Sequence, residues 1–92
     1  MTDSEQRARI FKVLSVGTRV RMIELLKRHP LCVNALAQAL DITPAAVSQH
    51  LRILRDADIV TADRKGTFVH YSLNERTMAE WNEAARRLLE KA

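Results

Sequence analysis

Ser48, Gln49 and Arg52 lie one, three and four residues apart, inside the stretch VNALAQALDITPAAVSQHLRILRDA that runs from Val33 to Ala57. On a helix this spacing gathers three hydrogen-bonding side chains on one face. Their chemistry is recognition rather than bond making. A glutamine amide can pair with both groups on the edge of adenine, an arginine guanidinium can pair with both acceptors of guanine, and a serine hydroxyl can bond to either base. The same three residues would also suit an ordinary solvated face, so the element that carries them decides what they mean.

That element begins at Thr43-Pro44, a capping hydroxyl followed by a proline at the position where a helix start tolerates one. Val47, Leu51 and Leu54 make its inner face, and the helix runs from Pro44 to about Ala57. Before it, Val33 to Leu40 reads as a shorter helix burying Leu36 and Leu40. The turn Asp41-Ile42 joins the two, with Ile42 plugging the core. Two short helices crossed through so tight a turn are the sequence form of a helix-turn-helix, the unit that sets a helix in the DNA major groove. Thr43 and Ala45, at the start of the second helix, would come close to the DNA backbone or a thymine methyl. His50 lies between the two faces, where it can touch a phosphate or pack and bond locally.

Further along, Ile59 to Asp63 and Thr67 to Leu73 read as two strands, with Arg64-Lys65-Gly66 as the turn between them. Val69, Tyr71 and Leu73 alternate with Phe68, His70 and Ser72, and the first set is expected to face the core. A basic hairpin behind a helix-turn-helix makes a winged helix. Arg64 and Lys65 at its tip can grip the minor groove or its phosphates, or form a plain solvated turn.

Glu5 to Ser15 reads as a first helix with Ile10, Phe11 and Leu14 on one stripe, broken at Gly17. Thr18 is expected to cap a second helix running to about His29, with Val20, Ile23 and Leu26 inward and Pro30 stopping it. Arg19 is either a salt-bridge residue or a phosphate contact. Leu31-Cys32 is an extended link or one small strand. Asn74 caps a last helix from Glu75 to about Glu90. In that helix Met78, Trp81, Ala85 and Leu88 are spaced three, four and three apart, a seam for a partner helix. The expected fold is mainly α with a small β-hairpin, a winged helix-turn-helix of order α-α-β-α-α-β-β-α in a single domain over residues 1–92.

The bulk properties agree with this. Ninety-two residues make one domain with a modest core, of a size that often gains stability from a partner. Only four aromatic residues are present, Phe11, Phe68, Tyr71 and Trp81, so the core is aliphatic and alanine-rich. A net charge of +4 permits a nucleic-acid partner without requiring one. The excess is not in the recognition segment, where Arg52, Arg55, Arg64 and Lys65 stand against Asp56, Asp58 and Asp63. Much of it sits earlier, at Arg19, Arg21, Lys27 and Arg28. A single cysteine, Cys32, leaves no intrachain disulfide framework. No apolar run approaches a membrane span, and the start carries no apolar signal core, so the expected compartment is the cytoplasm.

Four phrases, in this order, resemble the ArsR/SmtB family of bacterial winged-helix repressors, over about Phe11 to Leu88. Thr18 to Leu26 resembles the family's second helix, and Leu31-Cys32-Val33 the entry to its third. Val47 to Arg55 resembles its recognition helix, and Gly66 to Leu73 its wing. The resemblance implies a homodimer joined through the first and last helices, about 5–15 and 75–90, with Phe11 on one and Met78, Trp81, Ala85 and Leu88 on the other. It implies binding to a partly palindromic double-stranded operator and repression relieved by an inducer, a metal ion in many members. Asp41 and Asp58 depart from it, standing where the family often has glycine. Those helix ends commonly need a left-handed residue, which aspartate tolerates better than most.

The resemblance also says where metals would bind. Arsenic- and lead-sensing members use a Cys-X-Cys pair at the start of the third helix. Here the sequence is Cys32-Val33-Asn34, and asparagine is a poor soft-metal ligand. Members that sense zinc, nickel or cobalt place Asp, His and Glu ligands along the last helix across the dimer, and that helix has no histidine here. His29 and Cys32, three apart with Pro30 between, are weak metal candidates. Cys32 can otherwise be a lone redox-sensing thiol or a small half-buried hydrophobe. No cofactor is expected.

Two other classes of function compete with DNA binding. A winged helix used as a protein–protein interaction module usually loses the polar outer face, which Ser48, Gln49 and Arg52 keep. An enzyme is not expected, because there is no phosphate-binding glycine loop and no acid–base pair. Ser48 and His50 point about 200° apart on a helix, so they cannot couple as nucleophile and base.

Overall fold

A computed structural model describes residues 2–92. The chain forms α1 (Asp3–Leu14), α2 (Gly17–Leu26), α3 (Val33–Leu40), α4 (Pro44–Asp56), β1 (Val60–Lys65), β2 (Phe68–Leu73) and α5 (Glu75–Leu89). Helix α1 starts two residues earlier than expected because Thr2 caps it, its hydroxyl accepting from the Glu5 amide at 3.1 Å. Ile10 and Val13 are buried, while Phe11 keeps 37% of its surface exposed.

Helix α2 differs from expectation at both ends. It begins at Gly17, and its cap residue Val16 offers no side-chain acceptor, so Thr18 is inside the helix rather than capping it. It ends at Leu26, and the chain turns through Lys27 to His29 before Pro30 is reached. The buried residues are Arg19, Met22, Ile23 and Leu26, and Val20 faces outward. Arg19 is neither an ion-pair residue nor a surface cation. Its Nε donates to the Val13 carbonyl at 2.6 Å and its Nη2 to the Lys12 carbonyl at 3.2 Å. These are among the last carbonyls of α1, where the Lys12 carbonyl also accepts from the Ser15 amide at 3.2 Å and the Ser15 hydroxyl at 2.7 Å. Arg19 therefore caps α1 from the next helix.

The core lies among α2, α3, α4 and the base of the hairpin. Met22, Leu36, Val47, Leu51, Leu54 and Ile59 are its most deeply buried side chains. Cutting Leu36 or Leu51 to alanine would cost about 2–5 kcal/mol by leaving a cavity that the close-packed neighbours cannot fill. Ile42 packs against this core from the α3–α4 turn. Asp41 and Asp58 take left-handed backbone angles, φ 55° and 64°, as the ends of their helices require.

β1 and β2 pair antiparallel, from Val60 opposite Leu73 to Lys65 opposite Phe68. The turn is Gly66-Thr67, with Gly66 at φ 62°, so Arg64 and Lys65 are the last residues of β1 and not the turn itself. Tyr71 and Leu73 pack on the core, and β1 is buried at Val60 and exposed from Asp63 outward. The hairpin is thus anchored at its base, and its tip projects. The link at Leu31 is a single bridge rather than a strand, with Leu31 and Tyr71 exchanging backbone bonds of 3.1 and 2.8 Å. Asn74 caps α5, its Oδ1 accepting from the Arg76 and Thr77 amides at 3.2 and 3.3 Å. No helix among the described residues is long and apolar enough to cross a membrane.

Candidate nucleic-acid interface

Helix α4 is fixed by its cap and its inner face. The Thr43 hydroxyl oxygen accepts from the Ala46 amide at 3.1 Å, and Pro44 occupies the first turn. Val47, Leu51 and Leu54 are buried below. These contacts turn Thr43, Ala45, Ser48, Gln49 and Arg52 to solvent, all five exposed on the outer side. His50 sits at the boundary, half-buried. Its Nδ1 is buried with no hydrogen-bond partner.

The hairpin lies beside this helix. An open groove between them is lined by Ser48, Leu51, Arg52, Arg55, Asp56 and Tyr71. Tyr71 links three parts: its ring packs on the core, its side lines the groove, and its backbone is held by Leu31. The base of the wing is therefore tied to the α2–α3 link. Arg55 is legible in the sequence at three residues past Arg52 and seven past Ser48, and adjacent Asp56 masks it. Alternation along the strand marks Tyr71 as a core residue only.

At the wing tip Arg64 and Lys65 are exposed, and the Lys65 ammonium stands 4.0 Å from the Asp63 carboxylate. An exposed pair at that distance holds the lysine weakly, by under about 1 kcal/mol, and leaves it able to exchange a carboxylate for a phosphate. Phe68, opposite Lys65, is 64% exposed. Period-two alternation places it outward, and nothing else in the sequence singles it out.

The seam expected on α5 divides in two. Met78 and Trp81 pack against the protomer's own core, and Ala85 is half-buried. Leu88 is 48% exposed and Leu89, not part of the expected seam, 76% exposed. With Phe11 they are large apolar side chains that the protomer leaves uncovered.

Cys32 is half-buried and is the cap residue of α3, with no side-chain bond to the helix. His29 is exposed, and its Nδ1 lies 3.1 Å from the Pro30 carbonyl oxygen. Among the described residues no three His, Cys, Asp or Glu side chains cluster in a way that could hold a metal.

Comparison with known proteins places this geometry. Residues 17–62 match the family described as bacterial regulatory protein, arsR family. The transcriptional repressor SdpR of Bacillus subtilis is 34% identical over 71 residues, covering 77% of this chain and 79% of its own. A transcriptional repressor SmtB homolog of Synechocystis is 37% identical over 91 residues, covering 98% of this chain and 69% of its own. Among solved structures, a possible transcriptional regulator for arsenical resistance superposes with a TM-score of 0.82 at 30% identity, over 89% of this chain and 85% of that one. The homodimeric winged helix-turn-helix DNA-binding domain of a possible ArsR-family regulator from Mycobacterium bovis superposes at 0.74 with 29% identity, over 94% of this chain and 83% of that one. The helix-turn-helix lies wholly within the matched family segment, and the chain belongs to the ArsR family of bacterial regulatory proteins.

Proposed function

We propose that this chain is a homodimeric, sequence-specific operator-binding repressor of the cytoplasm, folding as one winged-helix domain over residues 1–92. The observation that carries the reading is α4 itself. A capped helix holds Ser48, Gln49 and Arg52 exposed directly above buried Val47, Leu51 and Leu54, beside a projecting basic hairpin. Ser48, Gln49 and Arg52 read base edges from the major groove, with Thr43 and Ala45 at the entering end of the helix and His50 at its flank. Arg64 and Lys65 hold the flanking backbone from the wing. Helices α1 and α5 join the two protomers, which spaces the two recognition helices for successive half-sites, about one helical turn of DNA apart.

Selection from random oligonucleotides tests this directly. The expected product is a partly palindromic site. Gln49→Ala and Arg52→Ala should each relax preference at one position of each half-site, by about 1–3 kcal/mol. Recovery of no enriched sequence, or absence of a complex at low salt, would overturn the reading.

Release is a separate matter from reading. Cys32 acts as a small apolar side chain at the entry to α3, and Cys32→Ser is expected to leave operator release by metals and by oxidants unchanged. A variant that no longer responds would instead make Cys32 the sensing thiol.

A further inference from the structure

We propose that Arg21, Lys27 and Arg28 form a second DNA-backbone contact, outside the recognition helix and the wing, that takes the phosphates flanking each half-site. The inference rests on the DNA-binding reading above and extends its footprint. The three cations line one depression with Glu24, Leu25, Ala39 and Leu40, where the face of α2 meets the C-terminal end of α3. Arg21 lies on α2 and Lys27 and Arg28 in the turn that follows it, and all three cations are exposed.

Position and charge support this together. Leu40 is three residues before Thr43, so the depression is within about 11 Å of backbone from the entering end of α4. In a helix-turn-helix that end meets the bases, and the helix before it crosses the sugar–phosphate backbone. The recognition segment is itself nearly neutral, with Arg52, Arg55, Arg64 and Lys65 set against Asp56, Asp58 and Asp63. Nucleic-acid affinity rests mainly on neutralised phosphates, so cations beyond Arg64 and Lys65 would add to it. On the C-terminal helix the cations stand beside acids of the same chain segment, Arg76 by Glu80, Arg86 by Glu83 and Glu90, and Arg87 by Glu83, which leaves that face with little net positive charge. Among the described residues Arg21, Lys27 and Arg28 have no carboxylate at ion-pair distance, and the one acid on their depression, Glu24, leaves three cations against one anion.

The test is the salt dependence of operator affinity in the full chain. Arg21→Ala and Arg28→Ala are each expected to lower the slope of log affinity against log salt by about 0.9 for every phosphate the variant no longer neutralises. Base preference at the half-site should stay as in the wild type. Glu24→Gln, which removes the opposing charge without emptying the depression, is expected to tighten binding at low salt. Arg76→Ala, a cation of the same kind on α5, is the control and should leave the slope unchanged. An unchanged slope in Arg21→Ala and Arg28→Ala while the wild type binds would overturn the inference alone. So would an equal loss in Arg76→Ala, or an altered base preference. A wild type that binds no DNA at low salt would overturn the parent reading as well, which separates the two failures.

Discussion

The Nε of Arg19 donates a 2.6 Å hydrogen bond to the Val13 carbonyl oxygen across the break between α1 and α2. The side chain is only 8% exposed, so this arginine is a structural part of the α1–α2 corner. Substituting methionine keeps the apolar stem but leaves the Val13 carbonyl without its donor, whereas the Lys12 carbonyl keeps the Ser15 amide and hydroxyl. Arg19→Met is expected to lower stability by about 1.5–3 kcal/mol, the range for hydrogen bonds to a charged group. Arg19→Lys should restore only part of it, because an ammonium lacks the planar fork that reaches both carbonyls. Urea unfolding measures the loss. Operator affinity of the folded protein should not change, and a weakened complex with intact stability would make Arg19 a phosphate contact after all.

Asp41 and Asp58 share a left-handed backbone and differ in what their carboxylates do. Asp58 accepts from the Thr77 hydroxyl at 3.3 Å, tying the end of α4 to the first turn of α5. The Asp41 carboxylate sits at the negative end of the α3 dipole. Asp41→Gly is expected to stabilise the protein, by a few tenths to about 1 kcal/mol, by relieving both the left-handed strain and the charge. In Asp58→Gly the same relief is offset by about 1 kcal/mol from the missing bond to buried Thr77. Thermal unfolding of the two variants at equal protein concentration should therefore give a raised midpoint for the first and an unchanged or lowered one for the second.

Glu83 gathers two arginines at the end of α5. Arg86 donates to it at 2.7 and 3.1 Å and Arg87 at 2.9 Å. The hydrogen bonds from Arg86, then those from Arg87, bring its carboxyl down from an ordinary 4.5 to about 2. A folded-state value below the unfolded one means the pairing is complete above about pH 4.5 and is lost as pH falls toward 2. The group is on the surface, so the effect on global stability is small. The expected signature is local: the Glu83 carboxyl resonance titrates near pH 2 and returns to the ordinary range in the Arg86→Ala, Arg87→Ala double variant.

The recognition helix is legible in the sequence because three signals agree on it: a Thr-Pro start, an apolar stripe at 47, 51 and 54, and polar residues opposite. The wing is legible from alternation around Gly66, but the sequence suggests too early a turn. Basic residues resemble turn residues, whereas the left-handed backbone needed at Gly66 fixes the turn at Gly66-Thr67. The ends of α2 are hard to read because its start carries no side-chain cap and its last residue precedes Pro30 by four positions. Arg19 is opaque for a different reason. A buried arginine bonded to carbonyls of the previous helix follows from tertiary packing, and local pattern cannot distinguish it from a surface cation. The groove residue Tyr71 is half legible, since alternation gives its inward side but not its backbone bridge to Leu31.

On the proposed dimer, the division of the α5 stripe separates protomer stability from association. Trp81 packs on the protomer core, while Leu88 and Leu89 are left uncovered near the end of the helix. Trp81→Ala is therefore expected to destabilise the protomer by about 2 kcal/mol, an effect urea unfolding reads even when the chains are dilute. Leu88→Glu should leave the protomer fold intact and break the association. Burying one leucine is worth about 1.5–3 kcal/mol, and a two-fold interface loses it twice, so the dimer dissociation constant should rise at least about a hundredfold. Sedimentation equilibrium measures that shift. Operator affinity should fall with it, because two tethered half-site contacts become two independent weak ones. If Leu88→Glu stays dimeric while Phe11→Glu dissociates, the interface is carried by α1 rather than by the end of α5.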